Sequence, residues 1–147
     1  MPLLILFDGV CNLCQSSVQF ILKRDIKKQC YFIPLQSELA QSLIADSEYH
    51  IDSTRSIILI ESGKWYFRST AALRIARKLS GAWPLLYLFI MIPAFVRDWI
   101  YDWIANNRYR WWGKSKNCWL PTNEWKKRFP ENREELKNLI TYSRIIS

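Results

Sequence analysis

Two cysteines, Cys11 and Cys14, lie three positions apart in the stretch FDGVCNLCQSSVQF, which runs from Phe7 to Phe20. They follow a short apolar segment and begin a segment with helical spacing, so Cys11 is expected at the amino terminus of a helix. The helix dipole and the unpaired N–H groups of the first turn favour the thiolate there. Thiolate is the attacking species in disulfide exchange, and Cys14 is close enough to resolve a mixed disulfide. The spacing therefore predicts a redox-active dithiol, with plain packing of two small side chains as the alternative.

Asp8 is the acidic residue nearest to this pair, three positions before Cys11. Its carboxylate is placed to take a proton from Cys14 during resolution, as a general base. Close to Cys11 it would instead oppose ionisation of that thiol. A turn residue that accepts hydrogen bonds from local backbone N–H groups is the other interpretation, and the sequence leaves both open.

Zinc binding is the main chemical rival of redox chemistry. Structural zinc takes four Cys or His ligands, and the chain holds four cysteines and one histidine: Cys11, Cys14, Cys30, Cys118 and His50. A second C-x-x-C and an H-x-x-x-H are both missing from the sequence. Cys30, at the entry to a predicted strand, is expected to be packed, and His50 to be exposed in a polar loop. We predict no metal site.

Residues 1–81 alternate between strand and helix signals. The predicted strands are Leu3–Phe7, Tyr31–Pro34, Ser56–Ile60 and Lys64–Arg68, with a hairpin turn at Ser62-Gly63. The predicted helices are Asn12–Arg24, one capped by Ser37 that continues to Ala45, and one capped by Ser69 that ends at Gly81 and carries Ala72, Leu73, Ala76 and Leu79 inward. A βαβ unit followed by a ββα unit is an α/β arrangement found in several folds, including the thioredoxin fold.

Residues 82–147 have a different character, apolar and helical. Pro93 separates two predicted helices, and the second carries an apolar stripe of Val96, Trp99, Ile100, Trp103 and Ile104. An aromatic-basic loop follows over residues 106–121, where Tyr109, Trp111 and Trp112 are predicted to pack on the core and leave the Arg and Lys heads in solvent. Leu136, Leu139 and Ile140 suggest a last helix. We interpret this half as a helical elaboration packed on the core, within a single domain of residues 1–147.

The charge of +8 would attract acidic partners, nucleic acid or anionic lipid. No recognised nucleic-acid-binding motif is present, so we expect no nucleic-acid partner. Weak contact with a membrane surface stays open. The longest apolar stretch, Trp83 to Val96, is shorter than the roughly 20 residues of a spanning helix. The apolar N-terminus lacks the features of a secretory signal. We therefore expect a cytoplasmic protein, a setting where a close cysteine pair is more often redox-active or metal-binding than a permanent crosslink.

The segment DGVCNLC resembles the Asp-x-x-Cys-x-x-Cys signature of the DCC family of predicted thiol–disulfide oxidoreductases. The resemblance continues, in order, through VQFILKRD, IPLQS, RSTAALRIARKLSG and NRYRWWGKSKNCWLP, and covers about residues 3 to 121. It implies a thioredoxin-like βαβ-ββα core with a C-terminal helical extension. It also implies that Cys11 is the nucleophile, Cys14 the resolving thiol and Asp8 the acidic partner.

One feature departs from a standard thioredoxin, which has a cis-proline before the strand facing the C-x-x-C. Here Thr54, Arg55 and Ser56 precede that strand. A cis bond without proline costs about 3 kcal/mol, so trans geometry is expected. If the fold is thioredoxin-like, Arg55 or Ser56 lies near Cys11 and forms the substrate groove, where a guanidinium would favour the thiolate.

The function predicted from the sequence is thiol–disulfide exchange with a protein or small-thiol substrate. A dithiol protein or glutathione would restore the dithiol, and no bound cofactor is required. The alternative is a non-enzymatic thioredoxin-like binding or adaptor module that uses its basic, Trp-rich helical half. For Cys118, either a third redox thiol or a buried anchor fits, and we favour the anchor because free cysteine is commonly buried.

Overall fold

The computed structural model describes residues 3–9, 12–47, 57–113 and 123–138. Its centre is a mixed four-stranded sheet with the strand order β2-β1-β3-β4. The strands are β1 (Leu3–Phe7), β2 (Cys30–Pro34), β3 (Ile58–Glu61) and β4 (Lys64–Phe67). β1 pairs in parallel with β2 and antiparallel with β3, and β3 pairs antiparallel with β4.

Helices connect and follow these strands. They are α1 (Asn12–Arg24), α2 (Glu38–Ala45), α3 (Arg68–Arg77), a 3₁₀ helix (Trp83–Met91), α4 (Ala94–Trp112) and α5 (Asn123–Lys126), and residues 133–138 are also helical. The order βαβ followed by ββα and then by helices is consistent with a thioredoxin-like core plus a C-terminal helical extension. The fold class predicted from the sequence is therefore confirmed.

The continuous apolar run of β1 is explained by burial on both faces of the sheet. Leu3, Ile5 and Phe7 face a core layer formed with α1 and α3. Leu4 and Leu6 face a second layer that includes residues of α2 and Leu136. Since β1 is covered on both sides, the turn that follows it emerges at a fixed position between the two layers.

The turns around the sheet follow local backbone chemistry. Ser62 and Gly63 have φ values of 54° and 77°, as in the two-residue turns that join hairpin strands, so the predicted hairpin is confirmed. Ser37 caps α2 as predicted, with its hydroxyl accepting a hydrogen bond from the N–H of Ala40. The hairpin turn places β4 antiparallel to β3, and the cap fixes the start of α2.

The start of α3 differs from the prediction. Phe67 is its N-cap residue, and no side chain caps the helix. Ser69 lies in the first turn and donates a hydrogen bond to Asp98. The buried apolar residues are Ala71, Ile75 and Ala76, followed by Leu79 just beyond the helix end. Ala76 and Leu79 are thus buried as predicted, whereas Ala72 is exposed and Leu73 is half-buried. The helix ends at Arg77, and Gly81 lies beyond it with a φ of 83°.

The predicted loop at residues 106–121 is wrong in its first part, because α4 continues to Trp112. Trp111 and Trp112 are 47% and 45% exposed instead of packed, and Arg108 is 4% exposed instead of wet. Arg108 is buried because it pairs with a buried carboxylate, described below. Within the described residues, no helix is long and apolar enough to cross a bilayer.

The segment 123–138 packs along the free edge of β2. The N–H of Phe32 donates to the carbonyl of Arg128 at 2.8 Å, and Arg128 Nε donates to the carbonyl of Cys30 at 2.7 Å. Arg128 also forms a buried ion pair with Asp25. Leu136 is buried as predicted, whereas Leu139 and Ile140 lie outside the described residues.

Candidate active site

The site begins where β1 ends. Asp8 and Gly9 form the turn between β1 and α1, and Cys14 is the third residue of α1. Asp8 is buried, and Cys14 is half-buried. The strand thus delivers the acidic residue, and the helix delivers the thiol, to the carboxyl end of the central strand. Cys11 lies outside the described residues.

Arg108 of α4 joins these two groups. Its Nη2 lies 3.0 Å from Asp8 Oδ2, and both side chains are 4% exposed. Its Nη1 lies 3.9 Å from Cys14 Sγ. A guanidinium next to a thiol favours the thiolate, so the second half of the chain supplies a cation to the second cysteine of the motif.

The Asp8 carboxylate is held by several donors. Tyr109 donates a short hydrogen bond to Oδ2, and Gln36 Nε2 donates to Oδ1 at 2.8 Å. Together with Arg108 these groups compensate the removal of the carboxylate from water, which is costly for an unpaired charge. Asp8 is therefore the centre of a buried polar network, rather than a turn residue bonded to its own backbone alone.

Two glutamines fix the turn itself. Gln36 Oε1 accepts a hydrogen bond from the N–H of Gly9 at 3.0 Å, and Gln15 Nε2 donates to the carbonyl of Gly9 at 2.6 Å. Both polar groups of the Gly9 backbone are thus paired with side chains. These two hydrogen bonds fix the backbone of Gly9, which leads into the C-x-x-C motif.

The end of α4 also contacts the beginning of α1. Asn12 Nδ2 donates to the carbonyl of Trp112 at 2.8 Å, and the N–H of Asn12 donates to the carbonyl of Gly113 at 3.3 Å. A carbonyl from the C-terminal half therefore satisfies one of the N–H groups that a helix start leaves unpaired.

Burial raises the pKa of Tyr109 to about 12, and its hydrogen bond to Asp8 acts in the same direction. Burial also raises the pKa of Tyr101 to about 12, and its hydroxyl accepts a hydrogen bond from the N–H of Ile57 at 3.0 Å. Burial acts to lower the pKa of Arg108, but Cys14, Tyr109 and Asp8 outweigh it, and the net pKa is raised. At neutral pH the site thus holds neutral phenols and a charged guanidinium.

An apolar cavity of about 470 Å³ lies beside Cys14 and Arg108. It is enclosed by residues of α1, α3, the 3₁₀ helix and α4, among them Leu13, Phe20, Ile75, Trp83, Leu86 and Ile104. Its volume is in the range of small-ligand pockets, which are mostly apolar with a few polar groups. Here those polar groups include the thiol and the guanidinium.

Cys30 lies away from this site. It is fully buried and is paired with Leu3, at the opposite end of β1 from Asp8. A five-residue strand spans about 15 Å, so Cys30 does not share a metal with Cys14. Burial raises the pKa of the Cys30 thiol, in agreement with the predicted packing role. No group of three or more His, Cys, Asp and Glu side chains suited to a metal occurs in the described part of the chain.

Of the residues selected from the sequence, Asp8 and Cys14 are brought together through Arg108. Five others fall outside the described residues: Cys11, Arg55, Ser56, His50 and Cys118. Arg108, Tyr109, Gln36 and Gln15 were not predicted as site residues. Arg108 and Tyr109 do lie in the NRYRWWGKSKNCWLP block that resembles the DCC family, which was the available signal.

Comparisons with known proteins identify the family of the chain. The family model described as DCC1-like thiol-disulfide oxidoreductase matches residues 5–114. The uncharacterized protein YuxK of Bacillus subtilis is 50% identical over 125 residues, 85% of this chain and 91% of that protein. A chloroplastic DCC family protein of Arabidopsis thaliana is 39% identical over 118 residues, 80% of this chain and 69% of that protein. No solved structure shows a significant match. The chain belongs to the DCC1-like thiol-disulfide oxidoreductase family.

Proposed function

We propose that this protein catalyses thiol–disulfide exchange, with Cys11 as the nucleophile and Cys14 as the resolving thiol. The observation that carries the proposal is the guanidinium of Arg108, 3.9 Å from Cys14 Sγ and anchored by a buried carboxylate. A thiol that only fills space in the core stays protonated and does not need a buried cation beside it. A resolving thiol benefits from such a cation, because it must become a thiolate before it can attack the mixed disulfide.

The reaction proceeds in two displacements. The Cys11 thiolate attacks one sulfur of a substrate disulfide, which forms a mixed disulfide and releases the first substrate thiolate. The Cys14 thiolate then attacks the Cys11 sulfur, which closes the enzyme disulfide and releases the second substrate thiolate. The substrate gains two electrons, the leaving thiolates take up protons, and the enzyme dithiol is oxidised. A dithiol protein or glutathione reverses the last change.

Asp8 acts in this scheme by positioning Arg108. Its Oδ2 accepts hydrogen bonds from both Arg108 and Tyr109, and its Oδ1 accepts one from Gln36. The competing role is general base toward Cys14. Asp8→Asn separates the two, because an amide loses the charge needed to accept a proton but keeps an oxygen that can hold Arg108.

The substrate side of the proposal rests on the apolar cavity next to Cys14. An apolar group adjacent to the substrate disulfide would fill it, which favours a polypeptide with a hydrophobic residue next to its cysteine or a small apolar disulfide over glutathione disulfide. Arg55 and Ser56 complete the groove on the Cys11 side in this proposal.

A trapping experiment tests the function. Cys14→Ser removes the resolving thiol, so the mixed disulfide with a substrate should accumulate on Cys11 and be released by dithiothreitol. Cys11→Ser should trap nothing, and Cys30→Ser, which removes a buried thiol, should behave like the parent. Mass spectrometry of the linked peptides reads the result. Trapping on Cys30 in preference to Cys11, trapping by Cys11→Ser, or no trapping at all would count against the proposal.

A further inference from the structure

The outer surface formed by the 3₁₀ helix and α4 is apolar and exposed. We call it the aromatic face and define it by eight residues with exposed side chains: Leu85, Leu88, Phe89, Met91, Phe95, Trp99, Trp103 and Trp111. Met91, Phe95 and Trp99 are 84%, 77% and 70% exposed. Single exposed apolar side chains are normal, but a run of this size on two consecutive elements marks an interaction surface.

Helix α4 differs from an ordinary surface helix because its large aromatic side chains are on the face exposed to solvent. Phe95, Trp99 and Trp103 follow one another at four-residue spacing and therefore share its outer face. Its inner face is polar: Asp98 accepts from Ser69, Tyr101 accepts from Ile57, and Arg108 pairs with Asp8. All nineteen residues of α4 are described, and Arg108 is the buried one among them. The large aromatic side chains of α4 at positions 95, 99 and 103 are thus presented outward, while its polar ones at positions 98, 101 and 108 contact the rest of the fold.

The composition of the aromatic face fits a lipid surface. Trp has an apolar ring with a polar N–H and is enriched where membranes meet water. Trp103 and Trp111 contact each other with ring centroids 5.1 Å apart, so the face includes a joined pair of indoles. Arg110, seven positions after Trp103, lies on the same side of α4 and is exposed. A helix with aromatic and aliphatic residues outward and basic residues beside them lies in the plane of the membrane interface.

The net charge of the chain helps to decide which partner the aromatic face binds. With a net charge of +8, two copies meeting face to face would bring like charges together, whereas an anionic bilayer attracts them. Nucleic acid binding would need several cations to contact phosphates, and the aromatic face offers mainly apolar side chains. We propose that the aromatic face binds the surface of an anionic lipid bilayer. This binding does not depend on the cysteines.

Flotation of the full chain with lipid vesicles tests this proposal. Vesicles of phosphatidylcholine alone are compared with vesicles of equal parts phosphatidylcholine and phosphatidylglycerol. The parent should float with the anionic vesicles, and lipids brominated in the acyl chains should quench its tryptophan emission. Trp99→Ser with Trp103→Ser should weaken binding at least about tenfold, because both rings leave water on binding. Ile26→Ser is the matched control, since Ile26 is 76% exposed and lies outside both elements of the face.

Circular dichroism should show that the double variant remains folded, as expected for two exposed side chains, and the quenching measurement on the parent does not depend on any variant. Three results would each overturn the proposal. They are absence of flotation with anionic vesicles, equal binding by parent and double variant, and a parent dimer in sedimentation that the double variant disperses without any vesicle binding. The last result would assign the aromatic face to a second copy of the chain.

Discussion

At the scale of single residues, Arg108 carries the most weight. Its guanidinium contacts both the buried carboxylate of Asp8 and the thiol of Cys14. The sequence predicts a solvent-exposed guanidinium for Arg108, because the residue lies in an aromatic-basic segment, where long cationic side chains usually extend into water. The sequence around Arg108 does not indicate that its side chain points into the protein, since the partner carboxylate of Asp8 lies 100 positions away.

Replacing Arg108 with Ala should therefore lower the free energy of unfolding by about 3–5 kcal/mol, the cost of leaving a buried charge unpaired. Arg108→Lys keeps the charge but not the fork that reaches two partners, so it should recover part of the stability and little of the activity. Urea denaturation and the rate of mixed-disulfide resolution measure the two effects. Arg110→Ala is the control, because Arg110 is exposed. Equal stability of Arg108→Ala and Arg110→Ala would show that the pair with Asp8 is not formed.

Tyr109 and Tyr101 predict a loss of stability in alkaline solution. Burial raises the pKa of each to about 12, whereas a tyrosine in an unfolded chain has a pKa of about 10. The folded state thus holds these protons more tightly. The stabilisation is fully present below pH 10 or so and is lost as the pH rises through about 12. Tyr109→Phe should flatten this dependence in urea denaturation at alkaline pH. A phenolate absorbance titration in which both tyrosines ionise near pH 10 would contradict the burial argument.

At the scale of elements, the first helix and the sheet were predictable because local pattern and tertiary environment agree. The apolar run of β1 and the helical spacing of α1 yielded their observed bounds, Leu3–Phe7 and Asn12–Arg24. The start of α3 was not predictable, because Ser69 has the chemistry of a cap but is used to bond Asp98. The orientation of α4 was not predictable either. Its apolar stripe suggests a buried face, yet Trp99, Ile100 and Trp103 of that stripe are exposed, and Arg108 is the residue of α4 that is buried.

The amino terminus of α1 leads to a prediction for Cys11. The helix dipole and the N–H groups of the first turn favour an anion at this position, so we expect the pKa of Cys11 to lie below the free-thiol value of about 8.5. The pH dependence of alkylation in Cys14→Ser, followed by mass mapping of the Cys11 peptide, measures it. Asn12→Ala is a useful companion, since it loses the side-chain hydrogen bond to Trp112 that fixes this end of the helix. A midpoint at or above the free-thiol value would show that the dipole does not control this thiol.

At the scale of the whole molecule, the site depends on contacts between distant parts of the chain. Asp8 and Cys14 come from the first strand and helix, Gln36 follows β2, and Arg108 and Tyr109 come from α4. The motif around the two cysteines could be found from sequence because its members are neighbours. The rest of the site could not, because nothing local in α4 or in the turn after β2 indicates a partner in the β1–α1 turn. We propose that residues 1–81 and 82–147 form one cooperative domain for this reason.

Phe129 tests that proposal. Its ring lies 6.3 Å from that of Phe7 and 5.5 Å from that of Phe32, so the C-terminal segment inserts an aromatic residue into the core layer of the sheet. Phe129→Ala should lower the free energy of unfolding by about 2–3 kcal/mol, since the side chain is largely but not fully buried. Phe95→Ala, which removes a ring that is 77% exposed, should change it little. Two separate unfolding transitions, with only the weaker one shifted by Phe129→Ala, would contradict a single domain.

The central claim is that Cys11 and Cys14 form a working dithiol, and a redox titration tests it most directly. The protein is equilibrated in buffers of reduced and oxidised glutathione, quenched with acid, alkylated and mapped by mass spectrometry. We expect one reversible two-electron transition that links Cys11 to Cys14. Cys30 should stay unmodified until the protein is denatured, because burial raises the pKa of its thiol. Two results would contradict a working Cys11–Cys14 dithiol. In the first, the two cysteines stay unlinked across the whole range of glutathione buffers. In the second, oxidation joins Cys11 to Cys118 and leaves Cys14 as a thiol.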